Sequence, residues 1–306
     1  MISSLVTKIN DLKKNRNAVI LVHNYQLPEV QDIADFIGDS LDLSKKAAAT
    51  DADVIVFCGV HFMAETAAIL SPGKTVLLPD MKAGCPMADM VDEYAVIALK
   101  KKHPSAKVVS YVNTTAKVKA VSDVCCTSAN AVAVVRSFGD AEIIFVPDRN
   151  LGRYVSEILG RKMILANGFC NVHTKILAAH IEKAKQKYPA AEVIAHPECN
   201  KDVSDMADKL LSTSAMCGYA KTSKSGEMII ATEVGILHRL IKENPEKKFY
   251  PALEAAECPN MKKTTLEKVF WSLEDMKNKV QVDQSVASKA LSALENMLKF
   301  AGDTID

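Results

Sequence analysis

Tyr188-Pro189-Ala190-Ala191-Glu192-Val193-Ile194 repeats His103-Pro104-Ser105-Ala106-Lys107-Val108-Val109 at an offset of 85 residues. The same offset carries Glu142-Ile143-Ile144 onto Glu227-Met228-Ile229, Ser128 onto Thr213, and Cys85 onto Cys170. An offset of 88 carries His23 onto Tyr111, Tyr25 onto Asn113, Ser40 onto Ser128, and Cys170 onto Cys258. Periods this long mark stacked units or duplicated modules. Each unit holds several apolar β runs, so the reading is three duplicated α/β modules. Equivalent loops of such modules can converge on one axis, each bringing a thiol.

Within each unit the pattern recurs. A helix (2–15, 91–102, 173–187) leads to a β run (18–22, 107–111, 192–196). A short helix and a second run follow, ending near Ser40, Ser128 and Thr213. Another helix leads to a third run (53–57, 142–146, 227–231), and a further helix (60–70, 152–159, 233–243) to a fourth (75–78, 162–166, 247–250). A cysteine-bearing loop closes the unit. Short β-branched runs flanked by turn residues suit strands covered on both faces, and alternation with helices implies parallel sheets in three-layer αβα modules. The expected divisions are 1–87, 88–172 and 173–260 for the modules. Residues 261–306 then form two helices, near 263–279 and 284–300, with no matching strand; these close across the modules.

Composition sets the class. An apolar fraction of 48% can fill a packed core. A net charge of +1 without long single-sign stretches argues against nucleic acid, and Lys100-Lys101-Lys102 and Lys262-Lys263 read as solvated helix edges. No apolar run reaches about 18 residues, and residues 1–16 read as an amphipathic helix, not a leader. A soluble cytoplasmic chain with no membrane partner is expected. Eight cysteines without any C-x-x-C pair argue against zinc ribbons, thioredoxin-like sites and ferredoxin-type runs. Any metal must draw ligands from distant segments.

Ligands of open parallel sheets gather beyond the carboxyl ends of strands. After the first strands stand His23 and Tyr25, Tyr111 and Asn113, His196 and Glu198; after the second stand Ser40, Ser128 and Thr213. A single hydroxyl there is an ordinary N-cap, whereas three facing one axis suit carboxylates or a phosphate. Glu198 and the two histidines can move protons near neutral pH, and Tyr and Asn can orient a polar substrate. Cys58, Cys125, Cys126, Cys199 and Cys217 read as core, with Cys125-Cys126 forming wall beside Ser128. Cys85 and Cys258 each precede a proline, and Cys170 follows a strand end. Spacing leaves this trio open between a metal site and three loop cysteines. If it binds metal, a [4Fe-4S] cluster with one free iron and a zinc site with one open position both suit three thiolates, with His173 a neighbouring partner.

Longer strings carry a family resemblance. They are His23-Asn24-Tyr25-Gln26, Gly38-Asp39-Ser40, Phe57-Cys58-Gly59-Val60-His61-Phe62-Met63-Ala64-Glu65 and Pro79-Asp80-Met81-Lys82-Ala83-Gly84-Cys85-Pro86-Met87-Ala88. Further along stand Tyr111-Val112-Asn113, Pro147-Asp148-Arg149-Asn150-Leu151-Gly152, His196-Pro197-Glu198-Cys199 and Glu257-Cys258-Pro259-Asn260-Met261. Over nearly its whole length the chain resembles the quinolinate synthase family of NAD biosynthesis. The resemblance implies three αβα modules around a pseudo-threefold axis. It implies an oxygen-sensitive [4Fe-4S] cluster on Cys85, Cys170 and Cys258, with one iron open to substrate as a Lewis acid. It implies condensation of iminoaspartate with dihydroxyacetone phosphate to quinolinate, with loss of phosphate and two waters. Substrate-binding positions fall on His23, Ser40, Tyr111, Asn113, Ser128, His196, Glu198 and Thr213, and the active-site tyrosine on Tyr25. Glu198 is the candidate base, with Tyr25, His23 and His196 relaying protons. Whether the imine comes from its L-aspartate oxidase or dehydrogenase by transient contact or by diffusion stays open. The C-x-x-C-x-x-C run of some longer relatives is absent around Cys258. Rival readings are a hydro-lyase acting on another hydroxy acid, and a metal- or anion-binding protein without turnover.

Overall fold

The computed structural model describes residues 2–300. Among these residues, twelve strands form three separate four-stranded sheets, all parallel. In the first, β1 (Ala18–His23), β2 (Phe36–Gly38), β3 (Val54–Cys58) and β4 (Thr75–Leu77) are ordered β2-β1-β3-β4. The second holds β5 (Lys107–Tyr111), β6 (Val124–Cys126), β7 (Ile143–Val146) and β8 (Ile164–Leu165), ordered β6-β5-β7-β8. The third holds β9 (Glu192–Ala195), β10 (Lys209–Leu210), β11 (Glu227–Ala231) and β12 (Lys248–Pro251), ordered β10-β9-β11-β12. The same order three times is what duplicated modules require, and the expected α/β class with three αβα units holds.

The inner strands are apolar on both faces because helices cover both. Every residue of β3 and of β7 is buried. The edges β2 and β10 are short, which limits the unpaired backbone they present. One apolar cluster runs through all three modules, from Leu21 and Phe57 through Val109 and Phe145 to Ile194 and Ile230. The modules thus share a core.

The two closing helices are Leu266–Asp275 and Gln284–Lys299. The first packs on helix Ile2–Asn15 and on β3; the second lies on β6 and on helices Ala116–Lys119 and His61–Leu70, spanning two modules. Between them the chain does more than the sequence suggested. Lys279 bridges Leu77 antiparallel, with Leu78 N–H donating to Asn278 O at 3.0 Å and Val280 N–H to Val76 O at 2.9 Å. The free edge of β4 supplies the unsatisfied groups for that short pairing. Asn278 reaches it with φ of 62°, a left-handed angle that asparagine tolerates.

Candidate active site

One backbone bond recurs where each module ends. His61 N–H donates to Ala83 O at 2.8 Å, Arg149 N–H to Gly168 O at 2.9 Å, and Val234 N–H to Ala256 O at 2.9 Å. Each pins a loop to the exit of its third strand. Two residues later come Cys85, Cys170 and Cys258, each leading to a 3-10 turn: Pro86–Asp89, His173–Lys175 and Met261–Lys263. The backbone N–H groups two and three residues on face each sulfur: Met87 and Ala88, Val172 and His173, Asn260 and Met261. Amides aimed this way favour a thiolate.

Burial works against those amides. It pushes the Cys85 thiol up to about 12, with Cys258 adding to the rise, and holds Cys170 well above the ordinary range, with Glu198 and Cys85 adding to it. Cys258 is likewise raised by burial. The thiols are close enough to oppose one another's ionisation. A cation among them would reverse that balance, so this soft donor set fits a metal or metal–sulfur cluster. The remaining cysteines are buried at 0–2% exposure. Cys125 and Cys126 sit within β6 behind Thr127 and Ser128, so they are core and not cavity wall.

The three loops open on one cavity. Its wall takes His23, Tyr25, Ser40 and Cys85 from the first module, and Tyr111, Asn113, Ser128 and Cys170 from the second. His196, Glu198, Thr213 and Cys258 come from the third. All the residues singled out by the repeat meet there.

The hydroxyls are not the helix caps that their position suggested. Asp39 caps helix Ser40–Ala49, accepting from Leu41 N–H and Asp42 N–H, and Ser212 caps helix Thr213–Thr222, accepting from Ala215 N–H. Ser40 and Thr213 are first-turn residues relieved of that duty. Thr213 Oγ1 accepts from Asn24 Nδ2 at 2.9 Å, across the seam between modules.

Glu198 is the electrostatic centre. Its Oε2 lies 3.1 Å from His196 Nδ1 and 3.2 Å from His173 Nδ1. Burial pushes its carboxyl up, but the His173 and His196 imidazoles outweigh this and bring it below the usual range. Burial also depresses His173 and His23 to about 3, so both are neutral at pH 7. Glu198 is thus held ionised beside the neutral ring of His173. His23 Nδ1 accepts from Tyr25 N–H at 3.1 Å, leaving Nε2–H as its donor. His196 Nδ1 has two neighbours of Glu198: the backbone N–H at 3.3 Å and the carboxylate at 3.1 Å. The shorter of the two contacts is to the charged carboxylate. On the other side of the ring, Nε2 lies 3.2 Å from Ser128 Oγ.

A second chain of contacts reaches Glu198 from Tyr25. Tyr25 Oη is 2.5 Å from Thr232 Oγ1, which is 2.8 Å from His173 Nε2. Tyr25 keeps its proton, because burial drives its pKa well above the ordinary value. Two buried oxygens around the cavity lack any hydrogen-bond partner, Glu198 Oε1 and Asn113 Oδ1, while His173 Nδ1 faces Glu198 Oε2 at 3.2 Å without hydrogen-bond geometry. Orphaned polar atoms cost about 1–3 kcal/mol each, which a polar ligand can recover. Cys170, His173 and Glu198 also offer ligand atoms within 4.8 Å of one another.

Thr232, Glu233 and Lys262 were not foreseen. The offset of 85 places Glu233 on Asp148, a strand-exit acid, and that was the available signal. The expectation of a solvated edge at Lys262-Lys263 fails. The Lys262 side chain is only 12% exposed and paired with Glu233, and Lys263 Nζ donates to Lys82 O at 2.6 Å, on the Cys85 loop.

A cavity that collects one thiol, one hydroxyl and two polar strand-end residues from each of three αβα modules defines a small-molecule site walled by three thiols. A sequence profile of the Quinolinate synthetase A protein matches residues 7–299. Curated relatives named quinolinate synthase include those of Dehalococcoides mccartyi, 54% identical over 95% of this chain and 97% of that protein, and Thermus thermophilus, 53% identical over 96% and 97%. Quinolinate synthase 1 of Methanosarcina acetivorans is 55% identical over 97% of both chains. The chain belongs to the Quinolinate synthetase A protein family, a family of enzymes. Among the described residues, no helix is long and apolar enough to cross a membrane.

Proposed function

We propose that this chain is a quinolinate synthase of NAD biosynthesis that condenses iminoaspartate with dihydroxyacetone phosphate. The products are quinolinate, phosphate and two waters, and no electrons enter or leave. The observation that carries this reading is the meeting of Cys85, Cys170 and Cys258 on the wall that also holds the orphaned Glu198 and Asn113 oxygens. Those three thiolates hold a [4Fe-4S] cluster in this reading, and when bound it supplies a Lewis-acidic iron without a protein ligand.

The chain's own residues do the rest. Ser40, Ser128 and Thr213 stand at or before helix N-termini and bind substrate carboxylate and phosphate groups. His23 Nε2–H and Asn113 orient the polar ends. Glu198, kept ionised, is the base for the proton removals that join and isomerise the carbon skeletons. Ser128, His196 and Glu198 repeat the hydroxyl–imidazole–carboxylate arrangement of hydrolases, so His196 can pass a proton between Ser128 and the substrate. Tyr25 gives its proton to departing hydroxide and regains it through Thr232 and His173. Buried walls keep competing water from the reactive imine.

Anaerobic purification tests the reading. Iron and acid-labile sulfide should co-purify, and the two substrates together should give quinolinate. Iron without product would leave the metal site but refute the reaction. A second reading is favoured by the closeness of Cys170, His173 and Glu198, which can bind a single zinc-like ion. It predicts one metal per chain and no sulfide.

A further inference from the structure

Lys262 Nζ lies 2.9 Å from Glu233 Oε1 and donates to the Tyr25 carbonyl at 2.6 Å. Glu233 Oε1 also accepts from Cys258 N–H at 2.9 Å, and Oε2 accepts from Gly235 N–H at 2.7 Å. The Glu233 side chain is 1% exposed. Removing one partner of so buried a pair leaves the other charge uncompensated. One ion pair thus joins the Cys258 turn, in the third module, to the loop that carries Tyr25, in the first.

Gly235 shows how tightly the three parts close. A Cβ there would stand 2.6 Å from Lys262 Nζ, 2.8 Å from Glu233 Oε2 and 2.8 Å from Tyr25 O. Its φ of −60° is ordinary, so space and not backbone angle demands glycine. From the other side Gln31 Nε2 donates to Gly235 O at 2.8 Å, Gln26 O at 2.9 Å and Asn24 O at 3.2 Å. The arrangement breaks the threefold pattern. Asp148, the counterpart of Glu233, faces the Cys170 amide but has no lysine in a salt bridge with it among the described residues, and the first module has Val60 there.

We infer that Glu233 and Lys262 are positioning residues that couple occupancy of the Cys258 turn to the placement of Tyr25. Filling the thiol site then also orders the loop bearing the proton donor. The inference rests on the proposed cluster at Cys85, Cys170 and Cys258.

Hydrogen–deuterium exchange before and after anaerobic reconstitution with ferrous iron and sulfide tests it. In the unaltered chain, loading should protect residues 258–263 and 23–27 together. Glu233→Gln with Lys262→Met removes the pair without stranding a charge. In that variant loading should protect 258–263 alone, and 23–27 should exchange about tenfold faster than in the parent. Gly235→Ala, which wedges the junction and keeps both charges, should behave alike. Joint protection persisting in both variants would overturn the coupling and leave the cluster intact, as would iron uptake by the parent without protection of 23–27. A parent that takes up no iron overturns the cluster and the coupling together.

Discussion

The Ser128 hydroxyl, from the second module, meets His196 Nε2, from the third, at 3.2 Å. The contact crosses a module boundary, so docking of two homologous units completes an acid–base arrangement that neither holds alone. Ser128→Ala should leave iron content unchanged and lower turnover by about 10- to 100-fold, read from steady-state rates at saturating substrates.

Glu198→Gln keeps the shape and removes the charge that both histidines face. Turnover should fall by about 10²- to 10⁴-fold while the brown chromophore remains. Near-normal turnover would remove Glu198 as the base.

Changing Cys85, Cys170 or Cys258 to Ser should abolish bound iron and reduce turnover by more than about 100-fold. Cys199→Ala, in the buried core, should keep iron and lose only thermal stability. Iron analysis separates the two groups.

Thr232→Val preserves volume but removes the hydroxyl between Tyr25 and His173. Two buried polar groups lose a partner, which costs about 1–3 kcal/mol of stability. Turnover should drop with unchanged iron content, and the KM values should stay near those of the parent.

The histidines make stability depend on pH. Burial first, with His196 and Lys262 adding to it, holds His23 at about 3, against 6.5 when unfolded. Below pH 6.5 the unfolded chain gains a proton that the folded chain refuses. Stability is therefore full above 6.5 and falls by about 1.4 kcal/mol per pH unit as pH drops towards 3. His173 adds an equal slope. His23→Gln should make the fall in stability between pH 6 and 5, measured by denaturant unfolding, shallower by about 1 kcal/mol.

Much of this architecture was legible because duplication wrote it three times. The offsets that aligned Cys85, Cys170 and Cys258 also aligned the strand ends, and a strand-end rule sufficed to gather the wall. The capping roles of Asp39 and Ser212 were not legible, since neighbouring Ser, Thr and Asp all suit an N-cap and only backbone angles choose. Thr232 and Lys262 were hidden for another reason. Their partners, Tyr25 and His173 for one and Tyr25 and Glu233 for the other, depend on how modules meet, and repeat offsets describe each module separately. The pairing of Lys279 with Leu77 escaped because no β-branched run announces a single bridge.

The repeated backbone bond that pins each cysteine loop has a consequence for assembly. The bond fixing each loop lies within its own module, yet a single module supplies only one sulfur. If the three sulfurs hold the proposed inorganic core, its capture waits until all three lobes have docked, and partly assembled chains make poor traps for stray iron.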